Sequence, residues 1–331
     1  MARLEPVTRV LVTGGHGLIG SWLVKALLDR GDHVSVLARG PRPGSALTLE
    51  GSAAAVDFVH GDLLDGRLIE RALRDGEIEL VFHLAGQTIV GNARQAPAAT
   101  FETNVKGTWT LLEACRAAGS PRVVAASSEK VYGPSLGGRC TEQRALDAAY
   151  PYDASKAAAD VIARSYWSSY GMPVAVTRFA NIYGGGDMNP SRLVPEAVWA
   201  ALAGRRPVIR SDGTAQRDFL YVEDAVAAYL AIADALERPE RAGGAAFNAG
   251  GGGPQPVLEV VRLVFEAAGA GFEPDIRGTG TPAGELAFES VDHSRLSDLT
   301  GWRPRVELAE GLRRTVEWYR THAPTPPADA A

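Results

Sequence analysis

Two groups of residues in this chain have the types and spacing for proton chemistry. In YPYDASKAAAD, Tyr152 and Lys156 stand four apart, so on a helix both project from one face. An ammonium beside a phenol favours the phenolate and lowers its pKa, which makes tyrosine a usable base. In SSEKVYG, Ser127 to Gly133, a hydroxyl, a carboxylate and an amine follow one another at Ser128, Glu129 and Lys130, just after the apolar run Val123-Val124-Ala125-Ala126. Open parallel sheets bind ligands at the carboxyl ends of their strands, where these three residues fall.

The elements that must hold them alternate in type. Short β-rich runs occur at Val10 to Val12, Val34 to Leu37, Phe58-Val59, Leu80 to Leu84, Val123 to Ala126 and Val174 to Thr177. Between them lie helical stretches at Gly20 to Arg30, Leu63 to Asp75, Thr100 to Ala118 and Asp153 to Tyr170. This pattern predicts an α/β fold with a Rossmann-type doubly wound parallel sheet buried on both faces. Beyond about residue 180 the pattern loosens, with helical stretches near Leu193 to Ala203, Val222 to Leu236 and Val257 to Ala268, which predicts a smaller C-terminal α/β substrate-binding domain. The expected division is residues 1–180 for a dinucleotide and the Tyr/Lys pair, 181–322 mainly for substrate with some segments returning to the first domain, and 323–331 as a flexible tail.

The first strand and helix enclose a glycine loop. VLVTGGHGLIGSWLVKALL places Gly14, Gly17 and Gly20 between them, the setting in which glycines allow a tight turn, close approach of backbone to a pyrophosphate and close helix packing. Gly14, Gly17, Leu18, Ile19 and Gly20 are therefore cofactor-binding candidates, for NAD(P). The second strand ends at Ala38 and Arg39, where an acid would bind a ribose hydroxyl; the positive charge there leans toward NADP, with NAD the alternative. Asp62 and Leu63 in GDLLD follow the third strand, and Leu84, Ala85 and Gly86 in HLAGQ follow the fourth, where a carboxylate and small residues suit the same cofactor.

Composition narrows the partners. Of 331 residues 46% are hydrophobic, enough for a sizeable core, and the net charge of −5 is spread without a basic run, so no nucleic-acid partner is expected. Cys115 and Cys140 cannot build a disulfide framework and have no metal-ligand spacing with the histidines, so no metal is expected. No stretch is long and apolar enough for a membrane and MARLEPVTRV has no signal core, which points to the cytoplasm.

Taken in order, VTGGHGLIG, HLAGQ, NVKGT, SSEKVYG, YPYDASK, RFANIYGGGD and RDFLYVEDA resemble the motifs of the extended short-chain dehydrogenase/reductase family, whose members rework nucleotide-activated sugars. The resemblance implies that Tyr152 and Lys156 are the catalytic pair and also bind the cofactor, that Ser128 binds the sugar O4, and that Asn181 and Arg217 contact the nucleotide diphosphate sugar; Arg192 in NPSRLVP is a candidate second cation for it. It also implies a homodimer through a four-helix bundle formed by the helices Thr100 to Ala118 and Asp153 to Tyr170. Simple epimerases of the family carry small residues after the Ser or Thr, whereas dehydratases place an acid and a base there. Ser128-Glu129-Lys130 is most similar to CDP-glucose 4,6-dehydratases, with Glu for Asp, a change that moves the carboxyl by about 1.5 Å. The implied reaction is a 4,6-dehydration in which Lys130 removes the C5 hydrogen and Glu129 protonates the departing C6 hydroxyl. A 4-epimerase is the alternative, and a non-catalytic NADP-sensing protein the alternative of another class.

Overall fold

A computed structural model of the chain describes residues 7–134, 138–280 and 286–323, in two compact units. The first takes the chain to Ser127, then Ala149–Thr177 and Ala228–Phe247. Its strands are β1 (Arg9–Thr13), β2 (His33–Ala38), β3 (Asp57–His60), β4 (Leu80–His83), β5 (Arg122–Ala126) and β6 (Val174–Phe179). With Ala246–Ala249 they form a seven-stranded sheet in the order Ala246–Ala249, β6, β5, β4, β1, β2, β3. The pairings among β1 to β6 are parallel. Burial on both faces explains the unbroken apolar runs: four of the five residues of β1 are buried in succession. This is the Rossmann-like sheet that the alternation predicts.

Helix α1 (Leu18–Asp29) follows the glycine loop directly. The stretch expected as one helix from Thr100 to Ala118 is interrupted: Pro97–Phe101 and Gly107–Ala117 are α-helical, and Glu102–Lys106 between them is a π turn. Such wide turns often mark functional positions. The 20-residue helix Pro151–Tyr170 starts with proline at its first position, where no amide partner is needed, and stops at Gly171 in the left-handed region.

The second unit takes Ser128–Ala148, Arg178–Ala227 and the chain from Asn248 on. The SSEKVYG segment thus opens this unit, and residues 228–247 return to the first, where the sequence places one boundary near 180 with returning segments. The central strand of the unit is Gln216–Tyr221, paired antiparallel with Pro254–Pro256 and parallel with both Phe288–Glu289 and β7 (Asn181–Tyr183). Helices Leu193–Leu202, Val257–Ala268 and Leu308–His322 belong to it. The last is absent from the sequence reading, although it buries Leu312, Val316 and Tyr319 along one face. Ala323, the expected start of a loose tail, is buried and its carbonyl accepts the Trp199 Nε1 proton at 3.0 Å; residues 324–331 lie outside the described residues.

Candidate active site

The glycine loop has the shape a dinucleotide phosphate requires. A Cβ at Gly14, where φ is +76°, would lie 2.7 Å from the Ala85 amide nitrogen, and one at Gly20 would lie 2.2 Å from the Gly14 carbonyl oxygen. Only glycine lets loop, helix and neighbouring strand end pack this closely. Gly17 is exposed and caps α1 without a side-chain hydrogen bond, and the N-terminus of a helix suits an anion. Leu18 is buried beneath that turn and Ile19 is half-buried. These features fit NAD(P).

Around the loop, Ala38 is buried at the end of β2 and Arg39 is exposed beside it. Asp62 is exposed after β3, its carboxylate accepting the Leu64 amide at 2.9 Å, while Leu63 is buried. Leu84, Ala85 and Gly86 follow β4, half-buried.

A hydrogen-bonded chain joins that strand end to the helix Pro151–Tyr170. Ala85 N–H donates to Thr13 Oγ1 at 3.1 Å, and Thr13 Oγ1 lies 2.9 Å from His83 Nδ1. His83 Nε2 is 3.0 Å from Thr108 Oγ1, whose proton goes to the Asn104 carbonyl at 2.6 Å. The proton of neutral His83 is therefore assigned to Nε2, with Nδ1 accepting from Thr13. Burial, helped by the Lys156 charge, lowers the His83 pKa to about 3, so it stays neutral. From the π turn, Asn104 accepts the Gln87 amide at 2.7 Å and donates to Ser155 Oγ at 2.9 Å, and Ser155 donates to the Tyr152 carbonyl at 2.6 Å.

Tyr152 and Lys156 lie in the first turns of Pro151–Tyr170, both buried. Lys156 Nζ donates to the Ala126 carbonyl at the end of β5, 2.9 Å away. Burial pulls its pKa down to about 8. It remains largely an ammonium at neutral pH, able to stabilise a neighbouring phenolate. Neither Asn104 nor His83 was singled out from the sequence, although Asn104 stands in the quoted NVKGT.

The second unit gathers the other candidates. Ser128 caps a short 3₁₀ turn, Glu129–Tyr132, that follows the strand end; its Oγ accepts the Lys130 amide at 3.2 Å. Sheet register then explains what surrounds the turn. Glu289 is the register partner of Arg217, and Asn181 that of Phe219, two residues further along, so the three side chains share one face. Asn181 Nδ2 donates to Glu289 Oε2 at 2.9 Å and reaches Glu129 Oε1 at 3.3 Å. Lys130 Nζ is 2.5 Å from Glu289 Oε1, and Arg217 Nε is 3.4 Å from Glu289 Oε2. Arg192 joins a different ion pair, with Asp187 at 3.0 Å.

Charges in this cluster are unevenly divided. Burial, and then the Glu289 carboxylate, push the pKa of Glu129 up to about 8. Burial works against both members of the Lys130–Glu289 pair, but the two carboxylates raise the Lys130 ammonium above its ordinary value, and the Lys130 and Arg217 cations hold Glu289 below the usual carboxylate range. Glu129 is the carboxylic acid at neutral pH, and Lys130 is a cation that must shed a proton before it can act as a base.

Residues 10–250 match the model of the NAD dependent epimerase/dehydratase family. The chain belongs to that family. It is 34% identical over 324 residues to a dTDP-glucose 4,6-dehydratase of Streptomyces griseus, with 95% of each chain covered. It is also 34% identical over 320 residues to a UDP-glucose 4-epimerase of Mycolicibacterium smegmatis, covering 94% of this chain and 98% of that one. Among solved structures, a dTDP-glucose 4,6-dehydratase of Streptomyces venezuelae with NAD bound superposes with a TM-score of 0.85 at 33% identity, covering 95% of this chain and 97% of that one. Both branches of the epimerase/dehydratase family are thus represented at equal identity, and the chemistry around Ser128 has to separate them.

Proposed function

We propose that this protein is a nucleotide-sugar 4,6-dehydratase that forms a 4-keto-6-deoxy sugar. The observation that carries the reading is Glu129: a carboxyl buried directly after the Ser128 hydroxyl, where burial and the Glu289 carboxylate favour its acid form. Removing a C6 hydroxyl needs a proton donor; rotating a 4-keto sugar in an epimerase needs none.

In this reading Ser128 hydrogen-bonds the sugar O4, and Tyr152, supported by Lys156, takes the O4 proton. A dinucleotide held by Gly14, Gly17, Leu18, Ile19, Gly20, Arg39, Asp62, Leu63, Leu84, Ala85 and Gly86 supplies the hydride acceptor and donor. The C4 ketone acidifies the C5 hydrogen, which Lys130 removes, and Glu129 protonates the leaving C6 hydroxyl. Asn181 and Arg217 contact the diphosphate sugar, Arg217 through its fixed fork of donors, and Arg192 supplies a further cation nearby. The enzyme works in the cytoplasm, where its two free cysteines stay reduced.

A 4-epimerase is the second reading, supported by the equal identity to the mycobacterial epimerase. Incubation with CDP-, dTDP-, GDP- and UDP-hexoses, with products read by mass, separates the two: loss of water marks the dehydratase, and an isomer of unchanged mass marks the epimerase. The relatives are named for dTDP- and UDP-glucose, whereas the Ser-Glu-Lys triplet resembles CDP-glucose enzymes, so all four nucleotides belong in the panel.

In this reading Arg39 pairs with a 2′-phosphate, which favours NADP on the absence of an acid at Ala38, with NAD the alternative. Arg39→Ala should weaken NADP by about 1.5 to 3 kcal/mol and leave NAD unchanged, measured by titration of stripped protein. Equal losses for both cofactors would show that Arg39 does not discriminate between them.

A homodimer through Gly107–Ala117 and Pro151–Tyr170 completes the reading. Tyr166 OH donates to Glu113 across the two helices at 2.7 Å, and together they leave Trp109, Val161 and Tyr170 exposed. Pairing around a two-fold axis would cover this apolar surface. Light scattering at micromolar concentration should give twice the 35.0 kDa chain mass; a monomer mass would remove the bundle from the account.

A further inference from the structure

The elimination assigned above leaves Lys130 with one proton too many. Its ammonium lies against Glu289, a buried acid at 4% exposure that stands 159 residues away in sequence. Two carboxylates, Glu129 and Glu289, converge on the Asn181 amide, at 3.3 and 2.9 Å. Buried carboxyls this close cannot both ionise cheaply, and the cations settle which one does. Lys130 and Arg217 both contact Glu289, which leaves Glu129 as the neutral member.

Building on the dehydratase reading, we propose that Glu289 is a positioning residue for the elimination: its charge keeps Glu129 the proton donor, and its carboxylate holds the Lys130 side chain in place beside that donor. Lys130 Nζ first releases a proton to solvent, giving an amine. The amine takes the C5 proton while the C5–H electron pair forms the C5–C6 double bond. The C6–O bond breaks, and the hydroxyl leaves as water with the proton of Glu129. When C6 is reduced, C5 takes a proton back from Lys130, and the amine regains its own from solvent. Lys130 and Glu289 end as they began, and Glu129 is reprotonated by the proton Tyr152 took from O4, through solvent.

The groups around Glu129 are Ser128 and Lys130 on its own turn, Asn181 on β7, Asp218 on the central strand, and Glu289. Asp218 is committed elsewhere, accepting the Gly251 amide at 2.8 Å and the Ser290 hydroxyl at 3.1 Å. Glu289 is thus the carboxylate whose loss should be felt most at Glu129. Its place in AFESVD carries no mark of this role, because the contacts arise from strand register with Arg217.

The test is Glu289→Gln in the full chain, with two readouts. The first needs no substrate: the Glu129 carboxyl is titrated by carbon-13 NMR in glutamate-labelled protein and assigned by its loss in Glu129→Gln. With the Glu289 charge removed, its midpoint should fall by about one pH unit or more. The second uses whichever hexose of the panel the wild type dehydrates: reduced nicotinamide should still form, while solvent deuterium entry at C5 should fall about 100-fold. A folded Glu289→Gln protein with an unmoved midpoint and wild-type exchange would overturn the proposal. If it does not fold, Glu289→Asp keeps the charge but withdraws it by about 1.5 Å, so the midpoint should hold while exchange falls at least about tenfold; exchange at the wild-type rate would again overturn it. Should the wild type dehydrate no sugar, the reading of the function fails while the titration still decides whether Glu289 governs Glu129.

Discussion

Tyr152→Phe is expected to lower turnover by about 10²- to 10⁴-fold, because the lost hydroxyl is the only part of the side chain that moves a proton. The substitution keeps the ring, so the buried start of Pro151–Tyr170 should retain its packing, and cofactor affinity should change little. Lys156 is held independently, by its bond to the Ala126 carbonyl. Single-turnover rates together with a binding titration check this, and a variant with wild-type turnover would remove Tyr152 from the mechanism. The pH profile supplies a second check. Lys156 loses its charge as pH rises through about 8, and Glu129 loses its proton over the same interval, so activity should be present below that pH and decline above it.

Glu129→Gln should divide the reaction at its middle. Glutamine keeps the shape of the carboxyl but has no acidic proton, so the C4 oxidation proceeds and the C6 hydroxyl does not leave. Reduced nicotinamide then accumulates, visible by its near-ultraviolet absorbance, and formation of the dehydrated product should fall by about 10²-fold or more. An epimerase would respond differently: Glu129 would only shape its pocket, and turnover would be largely kept. Full activity in this variant excludes Glu129 as the donor.

Much of this was legible because it is local. The Tyr152 and Lys156 pair is set by helix periodicity, and the glycine loop by three residues between one strand and one helix. The six parallel strands showed themselves because burial on both faces leaves unbroken apolar runs. Contacts made by sheet register were not legible. Glu289 meets Lys130 only because Phe288–Glu289 pairs with Gln216–Arg217, and no local pattern announces that pairing. Asn104 was hidden for another reason: a continuous helix was expected where the π turn carries its amide to Gln87 and Ser155. Leu308–His322 is hard to read as a helix because its Arg and Glu residues mask the apolar spacing of Leu312, Val316 and Tyr319.

In the proposed reaction this chain eliminates water across C5 and C6. Running the wild-type reaction in deuterium oxide and locating the label in the product tests it most directly. The product should be lighter by one water and carry solvent deuterium at C5, since that hydrogen is removed as a proton and replaced from the medium. A product that keeps all its atoms, inverted at C4 and unlabelled at C5, would rule out the dehydratase and establish the 4-epimerase in its place.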